Sequence, residues 1–239
     1  MKKYRNLAVK STACILSAAM LFGSGFSAAA AGSDIPKDEN VYVNLNQDGS
    51  VDGIYVVNAF RLEKETDIVD YGKYDSVKNL TTDEELTKKG DTITTTAPAG
   101  NFFYQGNLKT KEMPWEITIH YYLDGKEMQA DELAGKNGSL KITIHVGKND
   151  SVDEEFFENY LLQATVTMNM DNCSSLKAAG ATVGNKGTSK QLVYNIMAGQ
   201  EKDIVITADV LDFEMDPISF QGVPMSFDLD RDTLSMDSL

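Results

Sequence analysis

Leu140-Lys141-Ile142-Thr143-Ile144-His145-Val146 decides the class of this chain, because apolar and polar residues alternate along it without a break. Successive side chains of a strand point to opposite faces, so Leu140, Ile142, Ile144 and Val146 form one apolar face and Lys141, Thr143 and His145 a polar one. The same period recurs on both sides. Ile117, Ile119, Tyr121 and Leu123 alternate with Thr118, His120 and Tyr122, and Leu162, Ala164, Val166, Met168 and Met170 alternate with Gln163, Thr165, Thr167 and Asn169. Leu192, Tyr194 and Ile196, then Ile204, Ile206, Ala208 and Val210, extend the series. An apolar sheet face has to be covered, and with helix scarce the cover is a second sheet. The expected fold is all-β, with tandem β-sandwich modules.

Turn residues divide the runs. Lys148-Asn149-Asp150, Gly184-Asn185-Lys186-Gly187 and Ala198-Gly199-Gln200 each separate two apolar stretches. Short strands spaced this way over residues 138–216 read as an immunoglobulin-like sandwich. Ser151-Val152-Asp153-Glu154 has the form of a capping box ahead of Phe156 and Phe157, which predicts a short helical turn between two strands. Residues 38–136 form a separate N-terminal β domain in this reading, and 217–239 a C-terminal strand and tail. In the N-terminal part, Val41–Leu45 and Ile54–Phe60 flank Asn46-Gln47-Asp48-Gly49-Ser50, a β-hairpin with an Asp-Gly turn, and Asp124-Gly125 marks another.

Residues 1–31 read as a secretory signal peptide. Lys2, Lys3, Arg5 and Lys10 precede an apolar and small-residue stretch from Ser11 to Phe26, and Ala28–Ala31 offers a cleavage site. The stretch is broken by Ser17, Gly23, Ser24 and Gly25, which argues against a membrane-spanning helix. The expected location is extracellular or at the cell surface. Cleavage leaves Cys173 as the sole cysteine, so the exported chain has to rest on its hydrophobic core without an intramolecular disulfide.

With 36 acidic against 22 basic residues the net charge is −14, which repels nucleic acid and anionic lipid surfaces. Enzyme signatures are missing: there is no Gly-x-Ser-x-Gly, no Walker loop, no His-Glu-x-x-His and no Cys-x-x-Cys. His120 and His145 fall on the polar faces of strands and read as surface residues; two imidazoles alone do not make a zinc site. Asp228, Asp230 and Asp232 begin like a calcium loop, but Thr233 stands where the turn glycine belongs. No catalytic residue, metal site or cofactor is expected. Tyr71, Tyr74, Phe102, Phe103, Tyr104 and Trp115 concentrate aromatic residues, which serve either as core or as a binding surface. Tyr104, Trp115 and Tyr122 are the candidates for an exposed aromatic contact.

Residues 40–60 (NVYVNLNQDGSVDGIYVVNAF), 70–81 (DYGKYDSVKNLT), 102–144 and 158–215 (ENYLLQATVTMN through ITADVLDFEM) carry a resemblance. Together they resemble the exported N-terminal region of uncharacterised Gram-positive membrane proteins grouped loosely with the phage infection protein (Pip, YhgE) family. The resemblance implies an extracellular β region followed by helical repeats and transmembrane segments; this chain is then either a fragment attached to the membrane through a C-terminal region beyond Leu239 or a freestanding relative that is secreted or loosely wall-associated. It transfers no functional residue. The resulting expectation is a non-enzymatic binding or scaffold module of the cell envelope whose partner is an envelope protein or polysaccharide. The alternatives are a carbohydrate-active or cell-wall hydrolase using paired carboxylates and a structural spacer.

Overall fold

A computed structural model describes residues 14–20 and 35–224, and the fold is all-β, with 61% of the described residues in strands and almost no helix among them. The export-signal reading therefore lies largely outside the described residues, as does the acidic cluster from Asp228 to Asp232. The described strands, in chain order, are β1 (Cys14–Met20), β2 (Lys37–Leu45), β3 (Val51–Leu62), β4 (Thr66–Tyr71), β5 (Ser76–Asn79) and β6 (Thr87–Lys89). There follow β7 (Thr92–Ala97), β8 (Gly100–Asn107), β9 (Trp115–Leu123), β10 (Lys126–Met128), β11 (Gly138–Lys148) and β12 (Tyr160–Asn169). The last are β13 (Cys173–Ala178), β14 (Thr182–Lys186), β15 (Ser189–Ile196), β16 (Lys202–Val210) and β17 (Ser219–Pro224).

They make three sheets. The order in the largest is β14-β15-β12-β17-β1-β2-β3-β8-β5, in the second β10-β9-β11-β16-β13, and in the third β4-β7-β6. The second sheet covers one part of the large sheet. Ile117, Ile119, Ile142, Ile144, Ile204 and Ile206 from its strands meet Leu162, Val166, Leu192, Tyr194 and Phe220 in one buried cluster. The third sheet covers another part, where Val56, Phe60, Phe102 and Tyr104 pack with Ile68, Ile93 and Ala97. Both layers follow from period two: β11 buries Leu140, Ile142, Ile144 and Val146 and exposes Lys141 and His145. At about 25 cal/mol per Å² of apolar surface removed from water, this burial is the main source of stability, and the buried Cys173 is a free thiol.

Three local expectations change. The division at 136–138 runs through a sheet, because β9 pairs with β11 from Leu140↔Leu123 to Lys148↔Trp115. Gly184-Asn185-Lys186 is not a turn: it lies in β14, pairs with β15 and reverses only at the positive-φ Gly187. All five β14 residues are exposed, so no apolar face announces that strand. The predicted helical turn is present as Glu155–Asn159, but the predicted capping box is not: the N-cap is Glu154, without a side-chain cap bond, and Asp153 Oδ1 accepts from the Glu155 amide at 3.0 Å. Ser151 instead donates its hydroxyl to Asn149 Oδ1 at 2.7 Å. A single 3-10 turn at Ala130–Leu133 completes the helical content of the described residues.

The Asp48-Gly49 hairpin does form between β2 and β3, and its tip docks on β9. The Ile119 amide donates to the Asp48 carbonyl at 2.8 Å, and a Cβ on Gly49, whose φ is +92°, would stand 2.3 Å from the Ile117 carbonyl oxygen. Only glycine fits both the backbone angle and the gap.

Candidate functional site

The three aromatic candidates do not come together. Tyr104, on β8, is 1% exposed and packs between Phe60, stacked at 6.2 Å, and Tyr74, edge-on at 6.3 Å. Trp115 opens β9 on its apolar face and is 5% exposed within the larger cluster. Neither presents a surface, which corrects the expectation of an exposed contact there; strand parity puts both rings on inward faces. Tyr122 belongs to the opposite face of β9 and is half-buried, with the Lys141 ammonium 4.1 Å from its ring centroid. That arrangement is a cation–π pair between cross-strand neighbours.

His120 and His145 sit on the outer face of adjacent strands, opposite Thr143 and Thr118 respectively. Each is held by its own carboxylate: His120 Nδ1 lies 2.7 Å from Glu127 Oε1, and His145 Nδ1 lies 2.7 Å from Asp203 Oδ1. Among the described residues no group of three or more His, Cys, Asp or Glu side chains converges as a metal site would require.

A shallow hollow lies where the hairpin tip meets β9 and β10. Asp48, Ser50, His120, Glu127 and Gln129 line it with polar groups, over a floor that includes Ile117 and Ile119. The Asp48 carboxylate is held below its ordinary range by the Ser50 hydroxyl and amide, which donate to Oδ1 at 2.6 and 2.9 Å, with the nearby His120 adding a smaller effect. The hollow thus offers one firmly ionised carboxylate and one His–Glu pair to solvent.

The second polar group is buried. Asp70, in β4, is 9% exposed, and its two oxygens are fully engaged. Oδ2 accepts from the Tyr104 hydroxyl at 2.5 Å, and Oδ1 accepts from the Tyr71 amide at 2.8 Å. The Lys37 ammonium reaches both, at 2.9 Å to Oδ1 and 2.7 Å to Oδ2, and also lies 2.5 Å from Glu39 Oε1. Lys37 and Glu39 are two residues apart on β2 and so share a face. Burial is the largest single influence on Lys37 and pulls its pKa down, but Asp70 and Glu39 together outweigh it and leave the pKa raised. Burial first, and then the bond to Asp70, keep the Tyr104 hydroxyl protonated far into the alkaline range. Close by, the fully buried Asn58 amide donates to the Tyr74 hydroxyl at 3.1 Å.

Sequence reasoning passed over Lys37 and Asp70. The one signal was an acid at an inward position: Ile68 and Asp70 point in while Asp67, Val69 and Tyr71 point out. With apolar residues on both faces of that strand, parity alone does not choose.

Cys173, the first residue of β13, is 7% exposed, and burial followed by the neighbouring Asp209 charge raises its pKa. It is a packing residue rather than a poised nucleophile.

No protein-family model matches the chain, and no curated protein matches it.

Proposed function

We propose that this protein is a non-enzymatic binding or scaffold module of the Gram-positive cell envelope, exported by its N-terminal signal, with an immunoglobulin-like character in its sandwich. One observation supports the reading above others. Strand β1 lies between β2 and β17, antiparallel to the first from Cys14↔Leu45 to Met20↔Glu39 and parallel to the second from Leu16↔Phe220 to Ala18↔Gly222. The segment that completes the large sheet is therefore part of the segment that the export reading removes.

Removal leaves two strand edges, β2 and β17, separated by the width of one strand and backed by a built core. Unpaired strand edges recruit extended chains, because each new main-chain hydrogen bond satisfies a group that water otherwise has to serve. In this reading the exported protein holds an extended stretch of an envelope protein in that slot, with alternate apolar residues at the register positions of Cys14, Leu16, Ala18 and Met20. The strongly acidic exterior keeps it off nucleic acid and anionic lipid.

Hydrogen exchange on the protein recovered after export tests this. Adding solubilised envelope proteins is expected to protect the amides of Lys37–Leu45 and Ser219–Pro224 together. If those amides stay unprotected while the purified protein degrades an envelope polysaccharide, and the loss of polymer stops on Glu127→Gln, the paired-carboxylate hydrolase replaces the binding module.

A further inference from the structure

Lys37, Asp70, Glu39 and Tyr104 meet the requirements of a reaction as well as those of an ion pair. An ammonium touches both oxygens of a buried carboxylate, a second carboxylate touches the same ammonium, and a phenol donates to the first carboxylate. Phe60 closes one side, its ring centroid 6.0 Å from the Lys37 nitrogen. The side chains of Lys37 and Asp70 are only 20% and 12% exposed.

We propose that Lys37 and Asp70 condense into an intramolecular amide, a covalent cross-link between β2 and β4. In bulk water the solvation of both ions and the competition of water oppose such a bond. Here both partners are already largely desolvated and in contact. Well-oriented intramolecular partners reach effective concentrations of roughly 10⁵–10⁸ M, enough to reverse that preference.

The steps balance without any co-reactant. One proton passes from the Lys37 ammonium along its hydrogen bond to Asp70 Oδ1, giving an amine and a carboxylic acid. The Nζ lone pair attacks Cγ, and the negative oxygen of the tetrahedral adduct, Oδ2, is stabilised by the Tyr104 hydroxyl that already donates to it. Glu39 takes a second proton from Nζ and hands it to the Oδ1 hydroxyl. The Cγ–Oδ1 bond breaks, water leaves, and Glu39 ends as the carboxylate it was at the start. Oδ2 becomes the amide oxygen and keeps its bond from Tyr104. Neither an oxidant nor a metal is involved; the two ammonium protons depart with the aspartate oxygen.

The consequence is a loop closed between positions 33 apart, which ties the edge strand beside the proposed slot to the third sheet. A strand fixed at its start can accept a partner chain, and transmit pull from it, without peeling away. The cross-link does not depend on the slot, and its test is separate.

Intact mass spectrometry with tryptic mapping decides it. The purified protein is expected to weigh one water molecule less than its residues sum to, and to yield a branched peptide joining the segment that ends at Arg61 to Glu65–Lys73. Lys37→Arg restores the full mass. Glu39→Gln leaves both reacting groups in place and slows the appearance of the branched peptide about a hundredfold, the scale of a lost proton relay. A natively folded wild-type protein that keeps its full mass through days at neutral pH overturns the proposal. So does a water loss that survives Lys37→Arg, as cyclisation at Asp48-Gly49, Asp52-Gly53 or Asp124-Gly125 would give.

Discussion

Tyr104 and Asp70 stand 34 positions apart in the chain, and the tyrosine hydroxyl donates to the aspartate Oδ2 at 2.5 Å inside the smaller core. The bond joins the large sheet to the third one at a point where both side chains are withheld from water. Tyr104→Phe keeps the ring and removes the donor, leaving the buried Asp70 Oδ2 short of a partner. The expected cost is about 1–3 kcal/mol, read as a lower urea midpoint at unchanged slope. Tyr104→Ala also empties the space between Phe60 and Tyr74 and is expected to cost about 3–5 kcal/mol.

Alkaline pH should weaken the fold through the same group. In protein whose Lys37 and Asp70 have not condensed, Lys37 has a folded pKa above its ordinary 10.5, so the stability it lends is complete below that value and is lost as pH rises through the raised one. Tyr104 acts with the same sign: its hydroxyl stays protonated in the folded state, while the unfolded chain begins to ionise near its ordinary 10.0. Urea midpoints measured from pH 7 to 11 should stay level and then fall from about pH 10, and Tyr104→Phe should flatten part of that fall. A midpoint that rises above pH 10 would contradict the assignment.

Gly49→Ala is a sensitive probe of the hairpin tip. The added methyl needs a positive φ that alanine resists and would collide with the Ile117 carbonyl oxygen, which lies 2.3 Å from its position. The expected loss is about 1–3 kcal/mol, and the β9 amide of Ile119, bonded to Asp48, should exchange faster. Gly90→Ala has the same sign of φ but meets nothing within 4 Å, so its smaller loss separates backbone strain from collision.

Cys173 should resist thiol reagents in the native protein. Burial and Asp209 hold its pKa up, so both access and thiolate are scarce. Labelling with a disulfide reagent is expected only at the global unfolding rate, and prompt modification at neutral pH would show a local opening of β13.

The hollow is expected to be tolerant. Glu127 and His120 are each about half exposed in their side chains, and an exposed pair contributes about 0–1 kcal/mol. Glu127→Gln should therefore leave the urea midpoint within about 0.5 kcal/mol of the parent, which makes it a clean variant for the envelope-degradation assay.

Fold class was legible because burial imposes period two, and Leu140–Val146 or Leu162–Met168 could satisfy it in one way only. β14 was illegible for the complementary reason: Thr182–Lys186 buries nothing, and its pairing with β15 rests on main-chain bonds that leave no mark on side-chain choice. Tyr104 and Trp115 looked like contact residues because aromatic rings suit surfaces and cores alike, and only the sheet that covers them decides. The Lys37–Asp70 pair joins strands that are distant in sequence, and no local spacing encodes such a meeting. The helical turn was visible while its N-cap was not, since Glu154 holds that place without a side-chain bond and leaves no capping signature.

The ladder between Trp115–Leu123 and Gly138–Lys148 has a practical corollary for anyone dividing this gene. Severing the polypeptide near residue 137 would strand an oily ribbon on the amino-terminal piece and strip a neighbour from the carboxy-terminal one, and both products would be expected to clump. Whatever the two halves do, they are obliged to do it as a single inherited object.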